Sequence, residues 1–380
     1  MAQRKTNKAK GIKTVSRTRK VFRALGLISN IACAVLLFVS AYSGNISPQQ
    51  SGFATILNMS FPLWILLNVI NLAIDLLMWR WLAIVPVAAF AATIVPVLNF
   101  SPLNITSQGV KSNEKDLAFT VLNYNVMDFI DNQDKYPNDC NRTISYILST
   151  DADIVCLQEC EYLQPLAKYH VTESQIDSLK TRYPYRAIGH HGQATLSKYP
   201  FTNINLGLSR FYSGDITAHL VEMNNQTITL FNVHLRSLRF NQDDRDAYLE
   251  FTDINSSNDT DLSRLLPLRD KLYQAARHRA QQANIIRAYL DQAGGNAIVC
   301  GDFNDVPNCY AIRTISGDSM NDAYAENAFG PTITFNANRF YFRIDHVLYS
   351  GSLKAVDIER GNIPSSDHYP LLTTFVWQQN

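Results

Sequence analysis

The sequence predicts an α+β chain in which an N-terminal segment of three transmembrane helices precedes a mixed two-sheet sandwich with flanking helices. Three observations carry that expectation. Long uncharged apolar runs are confined to the first hundred residues, short β-rich runs recur through the remainder, and strands outnumber helices among the latter. The 380 residues and an apolar fraction of 46% suffice for a sizeable core.

Charge divides the chain in the same way. Residues 1–23 carry nine Lys or Arg and no acid, and residues 24–100 carry only Arg80 and Asp75. Of 34 basic and 33 acidic residues, 24 and 32 remain beyond residue 100, a net charge near −8. A domain of that sign suits sequence-independent binding along a polyanion poorly, which argues against a general nuclease and leaves only a local basic rim for that role. The six cysteines form no Cys-x-x-Cys pair. They read as small apolar side chains, and no zinc site is expected without matching histidine spacing.

After a basic cytoplasmic tail over residues 1–23, residues 24–42 form a run of the roughly twenty apolar residues that a helix needs to cross hydrocarbon. Residues 53–77 and 81–100 form two more, with Trp79 and Trp81 as interfacial anchors between them. The positive-inside bias holds the tail in the cytoplasm, and three crossings then place everything after Phe100 outside it. The expected location is a multi-pass protein of the plasma (inner) membrane with an extracytoplasmic domain. Three runs without a small-residue cleavage site favour an anchor over a signal peptide. Pro86 and Pro96 are kinks that lipid-embedded helices tolerate. Asn68, Asn71 and Asp75 share one face of the second helix and read as hydrogen-bonding glue between helices, with Asp75 near Arg80, rather than as a transport path.

Residues 101–116, with Pro102, Asn104, Gly109 and a mixed charge cluster, read as a linker. Beyond it, strands are expected at residues 119–126, 154–157, 194–197, 216–223, 228–233, from 298, and at 332–335, 344–349 and 371–377. Helices are expected at 141–149 and 268–292, and a polar loop over 236–261. The stretch Ile298-Val299-Cys300-Gly301-Asp302-Phe303-Asn304-Asp305 sets the pattern: a buried strand bends at Gly301 and delivers a carboxylate and a carboxamide two residues apart. Other apolar runs end or are followed likewise, at Asn125, Glu159, His234, Asp345 with His346, and Asp367 with His368. If these ends converge, they line one cleft with carboxylates, amides and imidazoles and no Ser or Cys nucleophile. Oxygen-rich ligation selects Mg²⁺ or Mn²⁺, and such an ion neutralises phosphate oxygens.

The ordered set Leu122-Asn123-Tyr124-Asn125-Val126, Leu157-Gln158-Glu159, Asn232-Val233-His234-Leu235, Gly301-Asp302-Phe303-Asn304, Ile344-Asp345-His346 and Ser366-Asp367-His368-Tyr369-Pro370 resembles the endonuclease/exonuclease/phosphatase superfamily. With the hydrophobic N-terminus, it is most similar to a membrane-anchored bacterial branch related to the catalytic part of GPI-anchor lipid remodelling proteins. The resemblance covers residues 117–378. It implies a four-layer α/β/β/α catalytic domain over residues 117–380 and phosphoester hydrolysis by metal-assisted water. It also implies Glu159 as principal metal ligand assisted by Asn125 and Asp367, and Asp302 as the group that orients or deprotonates water. Asn304 would hold the phosphate. His368, supported by Asp345 or Asp367, would contact it, and His234 would stabilise the transition state or protonate the leaving oxygen.

Departures from the family pattern limit the transfer. Asp128 stands one residue later than the acid of some AP endonucleases and is not expected to bind metal. Gly192 to Ser197 is a loose version of the family's small-residue strand, and no Tyr matches the catalytic one of AP endonucleases. His190 and His191 precede that strand; they are either cleft or exposed loop residues. Arg236 and Arg239 offer a subsite for a second phosphate, against the default of a solvated loop. His346 reads as packing, Asn123 as closing a backbone turn and Asp305 as capping one. Anchor and negative charge together favour a lipid or lipid-linked phosphodiester substrate over nucleic acid, with a non-enzymatic scaffold as the alternative of a different class.

Overall fold

The β-rich runs pair into two six-stranded mixed sheets in the computed structural model, which describes residues 2–106, 109–131, 140–161, 163–189, 192–207, 215–252, 262–337, 340–363 and 365–378. In chain order the strands are β1 (Ala118–Asn125), β2 (Ile154–Gln158), β3 (Tyr185–Ile188), β4 (Ala194–Ser197), β5 (Phe201–Asn203), β6 (Ile216–Met223), β7 (Gln226–His234) and β8 (Ala297–Asp302). There follow β9 (Asn321–Asp322), β10 (Phe335–Ala337), β11 (Phe340–Phe342), β12 (Asp345–Ser350), β13 (Leu353–Arg360) and β14 (Leu371–Trp377). One sheet has the order β13-β14-β1-β2-β4-β3 and the other β5-β6-β7-β8-β12-β9.

Three apolar cores give the sandwich four layers. Phe119, Val121, Ile154, Leu230, Ile298, Val347 and Phe375 fill the space between the sheets. Behind the first sheet, Leu122, Tyr124 and Val155 meet Ile144, Ile147, Ile176 and Leu179 of the helices Arg142–Thr150 and Glu173–Arg182. Behind the second, Phe231, Val233 and Val299 meet Ala283 and Ile286 of the helix Leu265–Ala293. The two central strands of each sheet, β1 with β2 and β7 with β8, are buried over most of their length and mainly apolar, as strands covered on both sides must be.

Several expected boundaries move. The polar stretch after Leu235 contains a helix, Gln242–Thr252, whose start is fixed by reciprocal bonds between Asn241 and Asp244, both 2.8 Å. The strand expected at 332–335 is instead β10, and β3, β5, β9, β11 and β13 are additional. The linker is tethered: Leu103 bridges to Phe329, and the Asn104 amide donates to the carbonyls of Ala325 and Ala328.

The N-terminal region differs more. Among the described residues, two stretches, Arg19–Asn45 and Phe61–Met78, are helices long and apolar enough to cross a membrane, not three. The third run is broken into the helices Ile84–Ala92 and Ile94–Phe100. Proline explains the break, since Pro96 has no N–H for the Ala92 carbonyl, which accepts from the Tyr42 hydroxyl at 2.8 Å instead. The second run is likewise divided, with Gly52–Met59 ahead of Phe61–Met78. The third run still returns alongside the first helix, from Leu82 near Gly26 to Ala92 at Tyr42. The polar glue is present: Asn68 donates to the Cys33 carbonyl at 2.9 Å and Asn71 lies 3.4 Å from Ser29 Oγ. Asp75 is buried and accepts from Asn30 at 2.6 Å, so its partner is not Arg80.

Candidate active site

Chain direction explains why residues from six places meet. β1 runs parallel to β2, and β7 to β8, so Asn125, Glu159, His234 and Asp302 emerge at one edge. β12 is antiparallel to β8, with Asp345 opposite Asp302, so the start of β12 reaches the edge where β8 ends. β14 is antiparallel to β1, with Leu371 opposite Asn123, and brings Asp367 and His368 to that same edge from the preceding turn. The strand-end expectation thus needs one amendment: Asp345 is the first residue of β12, and Asp367 and His368 precede β14.

Gly301 makes the parallel pairing close. Its φ is +152°, and a Cβ placed there would lie 1.9 Å from the Val233 carbonyl oxygen. Asp302, buried, is the hub of the site. Its Oδ1 accepts from the Asn304 N–H at 2.8 Å. Its Oδ2 accepts from the Asn125 amide at 3.1 Å and lies 3.7 Å from His234 Nε2 and 3.6 Å from His368 Nε2. Asn125 also donates to Glu159 Oε1 at 3.2 Å, and His234 Nε2 stands 3.8 Å from the same oxygen. One carboxamide therefore relieves the repulsion between two carboxylates; as a metal ligand it would present its oxygen.

His368 Nδ1 pairs with Asp345 Oδ2 at 2.9 Å. Burial alone would lower the imidazole, but the carboxylates of Asp345 and Asp302 outweigh it and lift the His368 pKa to about 10. It is an imidazolium at neutral pH. Burial raises Asp345 and Asp367, with His368 opposing in both. Thr334 Oγ1 accepts from the N–H groups of Ile344 and Asp345, and Ser366 Oγ accepts from the His368 N–H, so short hydroxyl side chains set the two entering turns. Ser366 stands two residues before His368, within the motif the sequence displays, whereas Thr334 lies eleven residues before Asp345 and carries no local signal.

The remaining candidates separate. Asn304, with φ +51°, lines the pocket, but its amide nitrogen is tied to the Leu235 carbonyl at 3.0 Å. Asp305 accepts from Val306 N–H, as a cap does, and from the buried Arg279 at 2.9 Å. His346 is fully buried against Phe303 and hydrogen-bonded to the Asp305 carbonyl. Asn123 closes no turn: with Asn232 it accepts from Gln158, a fully buried bridge between the sheets. Asp128 accepts from Glu161 N–H at 3.2 Å, and its own N–H donates to the Glu159 carbonyl at 2.7 Å. Arg239 lines the pocket and Arg236 does not. His190 and His191 lie outside the described residues.

These groups line a pocket of about 250 Å³ that holds Glu159, His234, Asp302, Asn304, Asp367 and His368. Its other wall mixes the apolar side chains of Leu238, Phe240, Leu272, Phe335, Phe342 and, from the N-terminal helices, Met59 with Ser237, Arg239 and Arg245. Ligand atoms of Asp302, Asp345 and His368 lie within 4.8 Å of one another, and Asp345 Oδ1 is buried without a hydrogen-bond partner. The oxygens that Asn125, Glu159 and Asp367 bring to the same edge fit a hard divalent cation, with the protonated His368 outside the ligand set.

A two-sheet sandwich with carboxylates and imidazoles gathered at one edge defines a class of hydrolases. The sequence matches the model of the Endonuclease/Exonuclease/phosphatase family over residues 125–368, and the chain belongs to that family, whose members act on phosphoester bonds. Residues 19–100 match a second model, a domain of unknown function (DUF8431). Among solved structures, the endonuclease/exonuclease/phosphatase from Bacteroides vulgatus is similar at 18% identity and a TM-score of 0.44, covering 69% of this chain and 99% of that one. The human Nocturnin catalytic domain with bound sulfate is similar at 16% identity and a TM-score of 0.44, covering 73% and 96%. No curated protein sequence matches.

Proposed function

We propose that the protein is a membrane-anchored, divalent-metal-dependent phosphodiesterase that acts on a lipid or lipid-linked phosphodiester. The observation that carries this reading is the pocket itself, where Met59 of the apolar N-terminal unit and Phe240, Leu272 and Phe342 wall the same space as Glu159, Asp302 and His368. Such a wall suits the apolar part of an amphiphile. Apolar side chains on the helices face outward uncovered, Ile28 at 63% exposure and Leu66 at 55%, as a lipid-facing surface requires. The basic tail leads into the end of the first helix remote from the catalytic domain, which supports a cytoplasmic tail with the domain of residues 117–380 outside.

Glu159, Asn125 and Asp367 would hold the cation, and its chemistry there is neutralisation of phosphate oxygens. The chain's own groups supply the rest. Asp302, fixed by Asn304 N–H and Asn125, accepts the proton of an attacking water. His368, charged and braced by Asp345, holds a non-bridging phosphate oxygen. His234, which reaches both Glu159 and Asp302, donates to the leaving oxygen. No side-chain nucleophile is needed.

Purified full-length protein, assayed with Mg²⁺ on phospholipid vesicles and on plasmid DNA, tests the substrate class. Release of a phosphorylated headgroup with intact plasmid is expected; cut plasmid with no lipid turnover would reverse the assignment.

A further inference from the structure

We propose that Asn99, in the last helix of the N-terminal unit, is a positioning residue for the catalytic centre; the inference rests on the reading of Asp302 and Asp345 as catalytic. Asn99 is the one amide in the otherwise apolar run Val95-Pro96-Val97-Leu98-Asn99-Phe100. A carboxamide in such surroundings is costly unless bonded, so its partners define its role. Its Nδ2 donates to Asn308 Oδ1 at 2.9 Å, and the backbone carbonyl of the same residue accepts from Arg343 Nη2 at 2.7 Å.

Those two partners flank the two catalytic carboxylates. Asn308 closes the loop that leaves Asp302 through Asn304 and Asp305, and Arg343 stands two residues before Asp345. Asp302 and Asp345 are direct partners on adjacent strands, so Asn99 spans the outer ends of one strand pair. The rest of the helical unit holds the same loop. Asn308 Nδ2 donates to the Pro96 carbonyl at 3.0 Å, and Asn58 donates to the Asn308 carbonyl at 3.3 Å. Gly44 sits so near that a Cβ there would lie 1.9 Å from the Asn308 carbonyl oxygen. Asn308 itself has φ +66°, a conformation that outside contacts must help maintain. Arg343 is buried and its other arm is engaged by Asp322 at 2.9 Å, so the link to β12 is equally rigid.

The helical unit therefore does more than tether the domain: it sets the spacing of Asp302 and Asp345. Asn99 itself does not line the pocket. Its loss acts through geometry, on turnover more than on binding.

The test uses the full chain in detergent with Mg²⁺ and a small soluble phosphodiester, bis(4-nitrophenyl) phosphate, which needs no membrane. Asn99→Ala and Gly44→Ala, both in the helical unit, are expected to lower kcat per folded molecule about tenfold with KM within about twofold. Asn308→Gly should lower kcat similarly, and the Asn99→Ala/Asn308→Gly double variant should be no slower than the slower single one. Folded fraction is read from thermal unfolding, which separates turnover from stability. Wild-type kcat in both Asn99→Ala and Gly44→Ala, with Asp302→Asn inactive, would overturn the positioning role while leaving the catalytic reading intact. An active Asp302→Asn would overturn the catalytic reading and this inference with it.

Discussion

Asp302 concentrates the chemistry of the site, because one of its oxygens is held by Asn304 N–H while the other faces Asn125, His234 and His368. Removing its charge without changing its shape, as in Asp302→Asn, should lower kcat about 10²–10⁴-fold, the usual range for loss of a positioned proton acceptor. The charged pair of His368 and Asp345 has a consequence for stability as well. The His368 pKa is raised in the folded state from 6.5 to about 10, so the pair stabilises the fold fully below pH 6.5 and loses that contribution as pH rises toward 10. Thermal unfolding of the chelated protein should show a Tm that falls across that window, and His368→Gln should flatten the fall; parallel curves would contradict the assignment. The side chains of this site were legible from sequence because each stands at one end of an apolar run. Their hydrogen bonds were not. Nothing local marks the tie of Asn304 to Leu235, or the place of Asn123 in a bridge between sheets, since both partners come from distant segments.

At the scale of elements, β8 and its Gly301 decide whether the edge forms at all. Gly301→Ala would drive a methyl group into the Val233 carbonyl and force a left-sided φ on a residue with a Cβ. It should destabilise the domain by about 3 kcal/mol or more, read as a lowered midpoint in urea with little change in slope. A midpoint equal to wild type would show that β7 and β8 can separate at that point without cost. Strands of the central pair were foreseen with small errors because β1, β2, β7, β8 and β14 are continuous apolar or alternating runs. Edge elements escaped: β3 exposes Tyr185, Arg186 and Ile188, and β5 has only three residues, so neither carries a hydrophobic period. The helix Gln242–Thr252 escaped for the same reason, being mostly polar, although its Asn241 and Asp244 spacing was a usable signal.

For the molecule as a whole, the N-terminal helices are both an apolar outer surface and, through Met59, part of the pocket's wall. The full chain should stay with membranes through an alkaline wash and enter solution only with detergent; release by the wash alone would contradict the anchor. Three apolar runs were legible in composition, but the division of the third could not be read from hydropathy, because it depends on Pro96 and on a hydroxyl from Tyr42, fifty residues earlier. The negative charge beyond residue 100 was legible too and bears on substrate choice through the long-range field rather than through any one contact.

The most direct test of the central claim measures hydrolysis of bis(4-nitrophenyl) phosphate by the full-length chain with Mg²⁺, with chelator, and in the Asp302→Asn variant. Activity should require the added ion, vanish with chelator, return on Mg²⁺ addition and be lost in the variant. Hydrolysis that persists at the wild-type rate in chelator or in Asp302→Asn would show that the gathered strand ends are not where phosphoester cleavage takes place.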